Sequence, residues 1–245
     1  MIHLQRPSKA LELRPALGKW ERATNSQQKR LERVYLGWSV AARRELSALA
    51  ARGATEQEIT LALERHGSAL GKALLKRVQQ GTIGASNLAL GGEPAPARVA
   101  SLIQRQMVEN EKLVRQALIP GILSNLKAKL PEAIGDKKLL KEAFDTMRNR
   151  PAQYAGGYWT MIFETKKEVG LQKEQDTKEP ERIKWELDPA AEHCVASPGF
   201  YGCVELEGEY ESWGDLKTVP GGQVTCRGSC RCHLLVWENG QWRRG

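Results

Sequence analysis

CRGSCRC, residues 226–232, contains three of the five cysteines of this 245-residue chain. The other two, Cys194 and Cys203, lie a short distance upstream, and the first 193 positions contain none. All the thiol groups are therefore confined to the last fifth of the chain. This concentration predicts a small C-terminal domain that its cysteines hold together, because a small domain buries too little apolar surface to be stable without such links.

The net charge of the chain changes sign close to the start of the cysteine-containing segment. Residues 185–245 carry a net charge of −4 and residues 1–184 carry +12, which together give the formal +8. No stretch approaches the roughly 20 consecutive apolar residues that a membrane span requires, and the N-terminus lacks the apolar core of a signal peptide. We therefore expect a cytoplasmic protein without membrane partners. In a reducing compartment, clustered cysteines are more often metal ligands or redox groups than structural disulfides.

Residues 23–170 show apolar residues at helical spacing. The predicted helices cover residues 26–52, 55–66, 68–80, 97–119, 139–147 and 154–170. Gly53 and Gly67 are expected to end two of them, and the glycine- and proline-rich stretch 81–97 is expected to be a loop or linker. Pro120 should end or kink the fourth. With these interruptions, we do not expect the helices to form one closed bundle on their own.

The periodicity changes after residue 182. Ile183, Trp185 and Leu187 alternate with polar residues, which is the pattern of a half-buried strand, and so does CRCHLLVW, residues 230–237. The predicted fold class is mainly α, with an extended multi-helix N-terminal region followed by a small α+β cysteine-rich C-terminal domain. The predicted segments are an extended arm over 1–22, a helical portion over 23–170, a polar hinge over 171–182 and the cysteine-rich domain over 183–245.

The cysteine spacing leaves three chemical states open. Tetrahedral zinc takes four thiolate or imidazole ligands, usually as two close pairs. The candidate ligands are four of the five residues Cys194, Cys203, Cys226, Cys230 and Cys232. Cys226 and Cys230 have a suitable C-x3-C spacing, but the eight residues between Cys194 and Cys203 are more than a zinc knuckle normally has. Disulfides, with one closing the loop between Cys194 and Cys203, are the alternative, and free buried thiols are the third.

Two histidines adjoin the cysteines, and either could replace one of them as a ligand. His193 and His233 are expected to be bystanders, because five thiols already exceed the four positions around zinc. On the strand pattern, His233 also points away from the face that carries Cys230 and Cys232.

The chain lacks the motifs of the common enzyme classes. It contains no H-E-x-x-H, no H-x-E with P-C-x-x-C, no G-x-S-x-G and no P-loop or dinucleotide fingerprint. We therefore expect a protein that is not an enzyme.

The order of motifs in the last 60 residues resembles a known family. The matching pieces are WELDPAAEHC (185–194), Cys203, LKTVPGG (216–222) and CRGSCRCHL (226–234). Together they resemble the C-terminal domain of the Mu F-like minor head proteins, or head morphogenesis proteins, of tailed bacteriophages. Members of that family commonly space the first cysteine pair as C-x-x-C, and this chain departs from that spacing.

The resemblance implies a minor structural protein of the virion. Such a protein lies inside the phage head at the portal vertex, contacts the portal or major capsid protein, and takes part in head assembly or in DNA packaging and delivery. It would be in the host cytoplasm during assembly. The net charge of +12 in residues 1–184 suits sequence-independent contact with packaged double-stranded DNA. The alternative hypothesis, a zinc-ribbon nucleic-acid-binding protein, predicts a basic cysteine-rich segment, whereas this one is acidic.

Overall fold

The computed structural model describes residues 18–153, 156–226 and 230–244. Helices account for 66% of the described residues, and a small antiparallel sheet lies in the cysteine-rich C-terminal portion, which confirms the predicted fold class. The helices are α1 (Lys19–Ala51), α2 (Glu56–Leu90), α3 (Ala97–Lys112), a π-helical segment (Leu113–Leu118), α4 (Ile119–Ala133), α5 (Lys137–Asp145), α6 (Arg150–Gln153), α7 (Gly156–Thr177) and α8 (Cys203–Leu206). The strands are β1 (Ile183–Glu186), β2 (Gly208–Tyr210), β3 (His233–Glu238) and β4 (Gln241–Arg244).

The N-terminal helices share one hydrophobic core. Apolar residues of α1, α2, α4 and α5 form a single buried cluster with the π-helical segment. Tyr35 of α1 donates a hydrogen bond to the carbonyl oxygen of Phe144 at 2.7 Å, and the ring of Trp38 packs against the Phe144 ring. The expectation that these helices would not close into a bundle is wrong, because their apolar faces bury one another.

Helix α2 is longer than the sequence pattern predicted. It runs without a break through Gly67 and through most of the stretch 81–97, so the connecting loop covers only 91–96. Gly67 and Gly81 are positions of close helix contact. A methyl group at Gly67 would lie 2.6 Å from Leu123 Cδ1, and one at Gly81 would overlap the Gln27 side chain. The chain uses these glycines for packing and not to end helices.

Pro120 does not end its helix. The helical backbone continues from α3 through the π-helical segment into α4, and Pro120 falls in the first turn of α4. There the Ile119 N–H donates to the Val114 carbonyl, an i to i−5 bond. This wider turn accommodates Pro120, which has no N–H to donate to the preceding turn of the helix.

Two predicted boundaries also move. Helix α1 begins at Lys19, within the predicted arm 1–22, whose first 17 residues lie outside the described part of the chain. Helix α7 continues to Thr177, so only the last few residues of the predicted hinge 171–182 are non-helical. Tyr154, where a helix was expected to start, is also outside the described residues.

The four strands form one antiparallel sheet in the order β2-β1-β3-β4. Ile183 pairs with Val236, and Trp185 pairs with Leu234, so these four apolar side chains share one face. Trp185 and Ile183 are completely buried. The predicted strand at Ile183 is therefore confirmed.

The sheet packs on helix α7 and does not form a separate body. Trp159 and Phe163 of α7 belong to the same buried cluster as the strand residues and the cysteines. Trp213 lies against Gly170, where any side chain would overlap its indole ring. The Trp213 indole N–H also donates to Glu181 at 2.6 Å. The C-terminal domain thus depends on α7 for part of its core.

Candidate metal centre

A tight loop brings Cys194 and Cys203 together despite the eight residues between them. Ser197 and Phe200 exchange two backbone hydrogen bonds of 3.1 and 2.8 Å, which fold residues 195–202 back on themselves. Gly202 then packs against the backbone of Val195 and Ala196, where a Cβ would lie 2.5 Å from the Ala196 nitrogen. As a result, the Sγ atoms of Cys194 and Cys203 are 3.3 Å apart.

A second backbone contact places Cys226 beside this pair. The Thr225 N–H donates to the Tyr201 carbonyl at 3.0 Å, and the Tyr201 N–H donates to the Gln223 carbonyl at 3.0 Å. These bonds hold the segment before Cys226 parallel to the segment before Cys203. The Sγ atoms of Cys203 and Cys226 are 3.4 Å apart.

Cys203 is the central residue of the cluster. Its sulfur belongs to one group of three with Cys194 and Cys226, and to a second group of three with Cys230 and Cys232. Within each group, all sulfur atoms lie within 4.8 Å of one another. The distance from Cys203 Sγ to Cys230 Sγ is 3.8 Å. The structure thus brings all five predicted ligands together, and the central position of Cys203 has no signal in the sequence.

The residues before β3 deliver the last two thiols. The predicted strand 230–237 begins only at His233, so Cys230 and Cys232 lie in the approach to the strand and not within it. The His233 ring packs edge-on against Trp159, with ring centroids 5.6 Å apart. Neither His193 nor His233 belongs to the two sulfur groups found among the described residues.

The thiols differ in how readily they ionise. Hydrogen bonding from Cys203 is the main cause that lowers the pKa of Cys226 to about 5, and it also lowers the pKa of Cys230. Burial raises the pKa of Cys194, but hydrogen bonds from Cys203 and Cys226 outweigh it, so the net shift is downward. The pKa of Cys203 is raised, because its thiol hydrogen bonds with Cys226, Cys230 and Cys232. Three of the five thiols therefore lose a proton more readily than an ordinary cysteine, and the thiolate is the form that binds metals.

Cys232 is, besides Cys203, the other cysteine whose thiol pKa is raised. A hydrogen bond with Cys203 lowers its pKa, but interaction with Cys230 and burial outweigh this effect, and the net shift is upward. The buried indole N–H of Trp185 forms no well-formed hydrogen bond among the described residues, but it faces the Cys232 thiol closely enough to lower the pKa of that thiol. Ionisation of Cys232 would give this N–H a charged acceptor.

No disulfide joins any of the five cysteines, all of which lie within the described residues. Their closest sulfur separation, 3.3 Å, is well beyond the roughly 2.05 Å of a disulfide bond. Four thiolates around a zinc ion at about 2.3 Å each would be separated by about 3.8 Å along the edges of the tetrahedron. The observed separations of 3.3, 3.4 and 3.8 Å around Cys203 are close to that value. The cluster is thus compatible with a structural metal ion.

Comparisons with protein-family models, with curated proteins and with solved structures found no match to this chain. Among the described residues, none of the helices combines the length and the apolar character needed to cross a membrane.

Proposed function

We propose that this chain is a minor structural protein of a tailed-phage virion, positioned inside the head near the portal vertex. It would act in head assembly or in DNA packaging and delivery, without catalysis of its own. One observation supports this proposal best. The sulfur atoms of Cys194, Cys203 and the cysteines of 226–232, on which the family resemblance rests, form one cluster around Cys203. The motif is therefore a three-dimensional unit.

Zinc is the metal that we propose for the cluster. Thiolates are soft ligands, and an all-sulfur tetrahedral site favours zinc over hard cations such as calcium or magnesium. Cys203 would be a ligand together with three of the other four cysteines. The ion would link the loop that carries Cys194, the start of α8 and the approach to β3, and so would fix three segments with little regular structure.

The cluster has the features of a structural site. A catalytic zinc keeps one coordination position open for water. Here five thiols surround the four available positions, and Cys203, Cys230 and Cys232 are all buried. Cys203 and its neighbours also belong to the hydrophobic cluster that includes Trp185 and Trp213. Such a site contributes to folding free energy, because the ligands come together only in the folded state.

Metal analysis of the full-length protein tests the zinc assignment. Protein purified without added chelator should contain one zinc ion per chain by elemental mass spectrometry. After acid denaturation without reductant, which releases the metal, its intact mass should be that of the chain with five thiols. A metal-free protein would overturn the assignment, as would a mass two or four hydrogens lower because of disulfides.

The virion assignment rests on the resemblance and needs a test of its own. The full-length chain, co-expressed with the portal protein of the same genome, should co-purify with portal rings. It should also be detected by mass spectrometry in purified particles. A protein that is abundant in infected cells but absent from particles would refute this assignment, whatever its zinc content.

A further inference from the structure

Helix α1 presents a basic face to solvent. Its buried apolar positions, spaced three and four residues apart, are Leu31, Tyr35, Trp38, Ala42, Leu46 and Leu49. At about 100° per residue, Lys29, Arg33 and Arg44 fall on the opposite side of the helix, with Arg30 beside them. All four side chains are exposed. We call these four residues the α1 basic face.

The acidic residues of α1 do not neutralise this face. Glu32 pairs with Arg148 of another segment at 2.6 Å, and Glu45 pairs with Arg65 and His66 of α2. Glu21 accepts a hydrogen bond from the Gly18 N–H at the start of the helix.

By contrast, the four residues of the α1 basic face form no ion pair within the described parts of the chain. Among the described residues, the one side-chain hydrogen bond of these four residues runs from Arg33 Nε to the Lys29 carbonyl oxygen, at 3.3 Å. Their positive charges are thus available to an anionic partner.

The shape of this face suits a polyanion better than a membrane. From Lys29 to Arg44 it extends over about 22 Å at 1.5 Å per residue. Between them the solvent side carries Gly37, Val40 and Ala41, and the aromatic rings of α1 face the core. A membrane-surface helix needs a free apolar face with large side chains to insert, and the apolar face of α1 is already buried in the bundle.

We propose that the α1 basic face binds double-stranded DNA through its phosphates, without sequence preference. This proposal rests on the proposed virion function only in its choice of DNA as the physiological polyanion. Duplex DNA carries about one negative charge per 1.7 Å of its axis, so a straight helix face of this length spans several phosphates. Side chains as long as lysine and arginine can reach them while α1 stays packed in the bundle.

The test compares two full-length variants with equal net charge. The first changes the basic face: Lys29→Gln, Arg30→Gln, Arg33→Gln and Arg44→Gln. The control changes four exposed basic residues that already pair with acidic ones: Lys112→Gln, Arg115→Gln, Lys127→Gln and Lys141→Gln. Binding of a short mixed-sequence duplex is measured by fluorescence anisotropy over a series of salt concentrations, and thermal melting checks that both variants are folded.

The basic-face variant should lose affinity at least about 100-fold near 0.1 M salt, and its plot of log affinity against log salt should be less steep by about 3 to 4, since each lost phosphate contact removes about 0.9. The control should keep most of the native affinity and slope. Equal losses in both variants would show that net charge alone drives binding, and would overturn the proposal. So would native protein that binds anionic vesicles but no duplex. A chain that binds DNA through this face but is absent from particles would refute only the virion function.

Discussion

The contact between Gly170 and Trp213 offers a direct test of how the C-terminal domain is joined to the helices. We predict that Gly170→Ala destabilises the protein, although alanine is normally the better helix former. At an exposed position, alanine in place of a helical glycine gains about 1 kcal/mol. At Gly170, the new Cβ would overlap the indole ring of Trp213.

The size of the effect follows from how firmly Trp213 is held. Its side chain is 2% exposed, its indole N–H donates to Glu181 at 2.6 Å, and its backbone N–H donates to Glu174 at 2.9 Å. Overpacking of a core costs about 1–3 kcal/mol, and loss of a hydrogen bond to a charged group costs about 1.5–3 kcal/mol. After the gain in helix propensity, a net loss of about 1.5–5 kcal/mol remains. This corresponds to about 3–20 °C in Tm for a chain of this length.

Thermal and urea unfolding, followed by far-UV circular dichroism and by tryptophan fluorescence, measure this loss. Gly37→Ala is the matched control, because Gly37 lies in the middle of α1 and a methyl group at this position would have no contacting atom within 4 Å. It should stabilise the protein by about 0.5–1 kcal/mol. If Gly170→Ala stabilised the protein as much as the control did, the packing of Trp213 on α7 would be refuted.

Three further predictions concern single side chains. Burial raises the pKa of the Glu164 carboxyl, so ionisation of this group destabilises the folded state above the unfolded pKa. Glu164→Gln should therefore raise the Tm at neutral pH. Thermal denaturation at several pH values should show this gain shrinking as the pH falls toward about 4, near the unfolded pKa. A gain that did not change with pH would contradict this cause. Tyr35→Phe removes the hydrogen bond to the Phe144 carbonyl, which still accepts from the Met147 N–H, and should cost about 0.5–1.5 kcal/mol in urea unfolding. An unchanged midpoint would argue against the Tyr35 bond. Cys203→Ser should abolish zinc retention, because Cys203 is shared by both sulfur groups, whereas Cys232→Ser should retain more zinc in the same elemental analysis. Full zinc in the Cys203→Ser protein would show that the other four thiols suffice.

Much of the secondary structure could be predicted from periodicity alone. The three- and four-residue spacing of apolar side chains in α1 and the alternation at Ile183 reflect which side of an element is buried, and burial patterns are local. Helix α2 starts, near the predicted residue 55, with a capping box formed by Thr55 and Glu58. The sequence does not predict structure well where one residue type is common in two different structural roles. Gly67 could end a helix or let two helices approach, and only the position of Leu123 on α4 decides between them.

The cysteine cluster shows the same division. Sequence composition determined that sulfur would be confined to an acidic C-terminal segment attached to a basic helical one, because residue types and charges do not depend on the fold. It could not determine that Cys194 and Cys203 meet across eight residues. That approach depends on the turn at Ser197 and Phe200 and on the absence of a side chain at Gly202. Distances between thiols are set by backbone segments that pack against each other from distant parts of the chain, and tertiary structure alone brings those segments together.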